Sequence, residues 1–339
     1  MDLITATPQG LYCPRGDFYI DPWRPVARAI ITHGHSDHAR WGSERYLCQR
    51  DCAPILRKRL GDISVEAVDY GQRIDINGVA VSLHPAGHVL GSAQVRVDHG
   101  GEVWVASGDY KTEPDGVSAP FEALRCDVFI TESTFGLPIY RWRPQADIMT
   151  EINDWWRENA EAGRASVIFA YGLGKAQRLL AHLDPAIGPI VSHGAIEPIT
   201  DIYRAQGVAL PPTTLVSQMS GKDAFARALI VAPPSAAGTA WMRRFGDYSD
   251  AFASGWMQIR GNRRRRGLDQ GFPLSDHADW PGLLDAIHAT GATRVYVTHG
   301  AAGALTRYLR ETGLDARTMH TEYGEEEAES GAQDAQEAS

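Results

Sequence analysis

Hydrophobic residues follow two rhythms along this chain. Up to about residue 135 they come in short apolar runs that suit strands, separated by short polar loops. Residues 27–33 (ARAIITH) read as a buried strand running into a loop, and 79–86 (VAVSLHPA) as a second strand. Two alternating runs around His99-Gly100-Gly101-Glu102 make 93–109 a hairpin, and 126–132 (CDVFITE) is a further strand. Beyond residue 140 the spacing changes. Residues 145–162 carry helical periodicity, 165–171 (ASVIFAY) is a strand, and 173–183 is a helix behind a glycine-bearing turn. The alternation continues with a helix at 196–206 and a strand at 228–232. Residues 256–274 are basic and glycine-bearing, which predicts a linker or exposed loop. A helix at 280–290, a strand at 294–299 and a helix at 302–312 complete an α/β pattern.

Composition narrows the class. Of 339 residues, 43% are hydrophobic and 22% charged, an ordinary globular balance that excludes a chain-wide disordered or fibrous protein. No run is long and apolar enough for a membrane span, and the first residues have no signal-peptide pattern, so the expectation is a cytoplasmic protein without a membrane partner. Cys13, Cys48, Cys52 and Cys126 form no CxxC pair and read as reduced, buried thiols. The net charge of −9 argues against a broadly basic surface, but residues 322–339 carry seven of the acids and no Lys or Arg. That tail, set at 321–339, reads as a solvated, disordered end.

The chemistry concentrates in His33-Gly34-His35-Ser36-Asp37-His38. Alternate side chains of an extended segment point the same way, so His33 and His35 can reach one metal. Asp37 and His38 follow at a turn and can face a second. Imidazole and carboxylate donors suit zinc, manganese or iron. A pair of divalent ions ~3.5–4 Å apart is a known arrangement for phosphodiester hydrolysis. Single residues at the ends of later strands could complete the set: His88, Asp109, His277 and His299, each beside glycine or serine. Elsewhere Arg260, Arg263, Arg264, Arg265 and Arg266 put five guanidinium groups just ahead of His277, and Arg243 and Arg244 add two; such clusters grip phosphates. Lys175, near a predicted helix N-terminus, stands where phosphate can bind. Trp155 and Trp156, mid-helix, serve packing.

Taken in order, HGHSDH, the GH at 87–88, the GD at 108–109, TEST at 131–134, SDH at 275–277 and THG at 298–300 resemble the metallo-β-lactamase fold. More narrowly they resemble its nucleic-acid-processing branch, in which a β-CASP domain is inserted. SVIFAYGLGKAQRLL (166–180) is similar to that insert's strand, turn and helix, and FASGWM (252–257), with Ser254, to its small-residue turn near the substrate. The 144 residues between Glu132 and His277 exceed any ordinary loop, which sets the chain apart from small-molecule hydrolases of this fold. LYCPRGDFYIDPWRPV (11–26) and residues 254–280 resemble the bacterial ligase-associated DNA exonucleases.

The resemblance implies an αββα sandwich at 1–138 and 270–320, split by a βα β-CASP insert at 139–269. It implies that His33, His35 and His88 hold one divalent ion, that Asp37, His38 and His299 hold another, and that Asp109 bridges them. The ions would be zinc or manganese, activating a hydroxide that attacks phosphorus, with Asp37 orienting it. His277 would protonate the leaving oxygen, oriented by Glu132, and Lys175, Ser254 and the arginines of 260–266 would bind substrate. The implied substrate is DNA, degraded exonucleolytically in repair, 5′→3′ by analogy with repair relatives. The implied functional associates are an ATP-dependent DNA ligase and an Lhr-type helicase. His299 instead resembles the RNA-processing members, so a ribonuclease of the same family is the alternative.

Overall fold

The computed structural model describes residues 2–259, 261 and 267–322. Arg260, Arg263, Arg264, Arg265, Arg266 and the acidic tail from Tyr323 onward lie outside the described residues. The protein is mixed α/β and forms two compact units. One runs to Arg141 and resumes at His277; the other is Trp142–Asp276.

The first unit contains two sheets. One has six strands in the order Thr5–Thr7, Gly10–Cys13, Phe18–Ile20, Ala29–Ile30, Tyr46–Gln49 and Val65–Val68. The other has seven, in the order Asp315–Thr318, Arg294–Val297, Val128–Thr131, Glu102–Ala106, Ala93–His99, Val79–Pro85 and Ile74–Ile76. Alternation along the strands divides their side chains between two clusters. Trp104, Ala106, Val128 and Ile130 share one cluster with Leu11, Ile20, Ile30 and Leu47 of the other sheet. Their neighbours Val105 and Phe129 join Leu283, Ile287, Leu305 and Leu309, from the helices Trp280–Thr290 and Ala302–Glu311. The first of these helices has clean ends. Asp279 accepts the Gly282 N–H at 2.9 Å, and Gly291 closes it in the left-handed conformation.

The strand anticipated at 27–33 shrinks to Ala29–Ile30. The strand Tyr46–Gln49 and the helix Ala53–Leu60 were not visible in the pattern. That helix is eight residues long, and Ala53, Leu56 and Leu60 carry its contact with the cluster of Ala29, Ile31, Tyr46 and Cys48. Two turns of helix set too short a period to register.

In the second unit a single sheet is parallel throughout, in the order Thr214–Leu215, Ile190–Ser192, Leu229–Ala232, Ala165–Phe169, Tyr248–Ala253 and Gln270–Phe272. The helix Gln145–Glu161 packs on it through Ile148, Met149, Ile152, Trp155 and Trp156. The two indoles donate to Ser249 Oγ at 3.1 Å and Arg227 O at 3.0 Å, which fits the packing role expected of them. The reading of 256–274 as exposed loop fails at its end. Gln270–Phe272 is an edge strand with Phe272 buried, a three-residue element whose only signal was one aromatic.

The four cysteines are free thiols, with Cys13, Cys48 and Cys52 buried and Cys126 half-buried. Among the described residues no helix is long and apolar enough to cross a membrane.

Candidate metal centre

Six of the seven predicted ligands converge in the first unit, and the seventh lies against them. The strand holding the cluster stops at Ile30, so His33 to His38 lie in bends and a turn rather than in an extended segment. The turn closes with Ala39 N donating to His35 O at 2.8 Å. Extended alternation was therefore the wrong geometry, yet the side chains still meet. His33 Nε2 and His88 Nε2 each lie 3.1 Å from His35 Nδ1. Asp109 Oδ2 lies 3.6 Å from His33 Nε2, 3.8 Å from His88 Nε2 and 3.3 Å from His38 Nε2. Asp37 Oδ2 is 3.6 Å from His38 Nε2. The His299 ring stacks on that of His38, 5.2 Å between centroids.

Asp109 reaches this point from a tight corner. Gly108, with φ 57°, precedes it, and a Cβ there would come within 2.7 Å of Thr32. His299 itself adopts φ 49°, a conformation that costs a side-chain-bearing residue roughly 1–2 kcal/mol. Strain of this kind persists where surrounding structure imposes it, and ligand sites are such places.

Asp21 is the residue that the sequence reading missed. It also has positive φ, 43°. Its carboxylate accepts from Thr32 N at 2.7 Å, Thr32 Oγ1 at 2.5 Å and His38 Nδ1 at 2.7 Å. A carboxylate only accepts, so the His38 proton sits on Nδ1 and Nε2 turns to the acids. An outer carboxylate placed in this way would orient the imidazole toward a metal. Its one sequence signal was an acid at the end of a short apolar run, FYID.

The donor set fits a divalent cation. A tetrahedral site with metal–nitrogen bonds of about 2.0–2.1 Å spaces its nitrogens ~3.3 Å apart, close to the separations here. Asp109 Oδ1 is buried and has no hydrogen-bond partner among the described residues, a state that buried polar atoms seldom keep. Two overlapping groups could each hold an ion: His33, His35, His88 with Asp109, and His33, Asp37 with His38.

Electrostatics describe the same convergence. Burial, with His38 and His88 nearby, holds His33 well below its ordinary value. Burial also pulls His38 down, but Asp109, Asp37 and Asp21 outweigh it and hold that ring well above the ordinary value. Burial pushes Asp109 up, and His38, His277 and His33 reverse this to hold it well below the usual carboxylate range. Asp37 is likewise lowered: burial and Asp109 push it up, and His38, His35 and His299 together prevail.

His277 and Glu132 form a pair beside these groups, close enough to Asp109 to make a further candidate group with it. The imidazole Nδ1 lies 3.0 and 3.1 Å from the two Glu132 oxygens, and Glu132 is fully buried. Tyr110 N and Thr134 N donate to the same carboxylate at 2.7 and 3.3 Å. Nδ1 therefore carries the proton, and Nε2 is the nitrogen that Glu132 does not contact. The His277 ring lies 4.6 Å from that of His88.

Lys175 and Ser254 lie in the second unit, and both are buried. Ser254 Oγ accepts from Trp256 N at 3.4 Å, capping the short turn Gly255–Gln258. Lys175 Nζ is 3.1 Å from Asp276 Oδ1 and 4.4 Å above the Tyr171 ring. Removing one member of such a buried pair costs about 3–5 kcal/mol, because a charge stays behind. Lys175→Met is therefore expected to destabilise the protein by roughly that amount, and adding Asp276→Asn to recover at least half of it. Chemical denaturation checks both; a loss below about 1 kcal/mol for Lys175→Met would mean that the pair contributes little.

No family model matches the chain. Over 311 residues, 91% of the chain, it is 33% identical to a "Probable DNA ligase" of Opitutus terrae. It is 33% identical over 122 residues, 35% of the chain, both to "Endoribonuclease YSH1" of Eremothecium gossypii and to "Cleavage and polyadenylation specificity factor subunit 3-I" of Arabidopsis thaliana. The chain spans 30%, 16% and 17% of the lengths of these three relatives. A solved structure of a protein of unknown function from Enterococcus faecalis V583 shares the fold, with a TM-score of 0.59 at 11% identity, over 90% of this chain and 81% of that one.

Proposed function

Because the chain belongs to the metallo-β-lactamase proteins that carry a β-CASP insert, we propose that it is a metal-dependent phosphodiesterase acting on DNA. In this reading the first unit is an αββα sandwich, and Trp142–Asp276 is the insert. The observation that carries the reading is the convergence of His33, His35, His38 and His88 on the Asp109 carboxylate, with Asp37 against His38. His33, His35, His88 and Asp109 would hold one divalent ion, and Asp37, His38, His299 and Asp109 the other. Bound there, zinc or manganese would supply Lewis acidity to a phosphoryl oxygen and lower the pKa of water.

The chain's own groups divide the remaining work. Asp21 fixes the His38 ring through Nδ1, and Asp37 is set to orient the attacking oxygen. Glu132 holds the His277 Nδ1 proton, so that Nε2, once protonated, can donate to the leaving oxygen. DNA is favoured because 91% of the chain matches part of a probable DNA ligase, whereas the endoribonucleases match 35%. Stepwise removal of nucleotides during repair, alongside an ATP-dependent ligase and an Lhr-type helicase, completes the proposal. The second reading, a ribonuclease, is favoured by His299 stacked on His38 and by the endoribonuclease relatives.

Matched single strands of DNA and RNA, labelled at either end and incubated with manganese or zinc, test this. Stepwise loss of DNA from one end is the expected result and fixes the polarity, expected to be 5′→3′. Internal cuts in RNA with DNA intact would move the protein to the second reading. Cleavage of neither strand would overturn both.

A further inference from the structure

The second unit carries a basic, aromatic surface that the metal chemistry does not use. His193 follows the strand Ile190–Ser192, and the turn Ala240–Phe245 follows its neighbour Leu229–Ala232. These strands are parallel, with Ser192 opposite Val231, and His193 N donates to Val231 O at 2.9 Å. Both features therefore leave the carboxyl ends of adjacent strands, where open parallel sheets take their ligands.

Trp241 is half-buried there. His193 and Phe245 meet its ring edge-on, at centroid distances of 4.8 and 4.7 Å. The Arg244 guanidinium lies over the ring, 5.6 Å from its centroid, and Arg244 Nε donates to Trp241 O at 3.1 Å. A guanidinium held this way is pre-organised, which suits it to phosphate. Arg243 and Arg244 are exposed, and so is Lys222, whose stem lies over Gly246 at the end of the turn. Among the described residues none of these three cations has an acidic group within 4.0 Å. In a chain of net charge −9, these three cations stand around one tryptophan, and the acids nearest in sequence, Asp223 and Asp247, pair with none of them.

We infer that Trp241, Arg243, Arg244 and Lys222, with His193 beside them, form a grip for single-stranded nucleic acid, with phosphates on the cations and a base stacked against the indole. Non-specific single-strand sites combine these two contacts, and unpaired bases offer the face that a tryptophan needs. The inference rests on the nucleic-acid reading above, but its failure can be told apart from the failure of that reading.

The test is fluorescence anisotropy with a labelled phosphorothioate oligothymidylate across a salt series, using the full metal-loaded chain. Arg243→Ala with Arg244→Ala is expected to weaken binding at least tenfold at 150 mM salt. The slope of log affinity against log salt should fall by about 1.4, at ~0.7 per phosphate contact on a single strand. Trp241→Ala should weaken binding by about five- to hundredfold, with Trp241→Phe retaining most of the affinity. Turnover of bis(p-nitrophenyl) phosphate, which carries neither a nucleobase nor a second phosphate, should be unchanged in all variants. Unchanged affinity and slope in the double arginine variant, with melting as in the parent, would overturn the inference even if strand cleavage persists. Equal loss of binding to polyglutamate would also overturn it, making the patch a site for any polyanion. Absent turnover in the parent with the binding losses intact would overturn the metal chemistry and leave the grip standing.

Discussion

Asp109→Ala is expected to abolish hydrolysis and to strip the protein of most of its bound metal. The reason is the place of that carboxylate: Oδ2 lies 3.3–3.8 Å from nitrogens of His38, His33 and His88, so in the proposed arrangement it serves both ions. In that arrangement losing any one imidazole removes one donor from one ion. Losing Asp109 removes the anion that both ions would share and leaves Asp37 alone among the imidazoles to balance two dications. Metal catalysis of phosphoryl chemistry supplies several kcal/mol of transition-state stabilisation, so the loss in kcat should reach at least about a thousandfold. Asp109→Asn separates charge from shape. It keeps an oxygen donor of the same size, so metal content should be partly retained while activity stays low. Elemental analysis of metal per chain, beside turnover of a labelled strand, reads both. Full metal occupancy with more than about a tenth of the activity would remove Asp109 from the centre.

How much of this centre could be read in advance depended on range along the chain. His33 to His38 were legible because four donors within six residues must come close whatever the backbone does, even though the strand ends at Ile30. His88, Asp109 and His299 were legible as donors at strand ends, since strands of one sheet bring their ends together. Asp21 was not legible. It meets Thr32 and His38 only because Phe18–Ile20 pairs in parallel with Ala29–Ile30, a register that no local pattern encodes. The partner of Lys175 was hidden for the same reason. Its place near a helix N-terminus was legible, but nothing nearby announces that Asp276, far along the chain, lies against its ammonium. The mixed α/β character followed from periodicity, whereas the three-residue edge strand Gln270–Phe272 is too short to have one.

His277→Ala is expected to lower kcat by about 10²–10³-fold while leaving metal content and KM nearly unchanged, the effect of losing a proton donor. The imidazole is held at Nδ1 by a buried carboxylate that is itself fixed by two backbone N–H groups. Such a chain of bonds sets the orientation and tautomer of one working nitrogen, which is what proton transfer requires. If that is its task, the defect must depend on the leaving group. A nucleotide alkoxide needs its proton, whereas p-nitrophenolate leaves without one. The His277→Ala defect should therefore shrink to less than about tenfold on a p-nitrophenyl phosphodiester. Glu132→Gln should fall between the parent and His277→Ala, because an amide can accept from Nδ1 but presents an N–H toward one of the backbone donors. The contrary result is equally legible. His277 lies against His88, so loss of metal in His277→Ala, with an equal defect on both substrates, would make it a ligand rather than an acid.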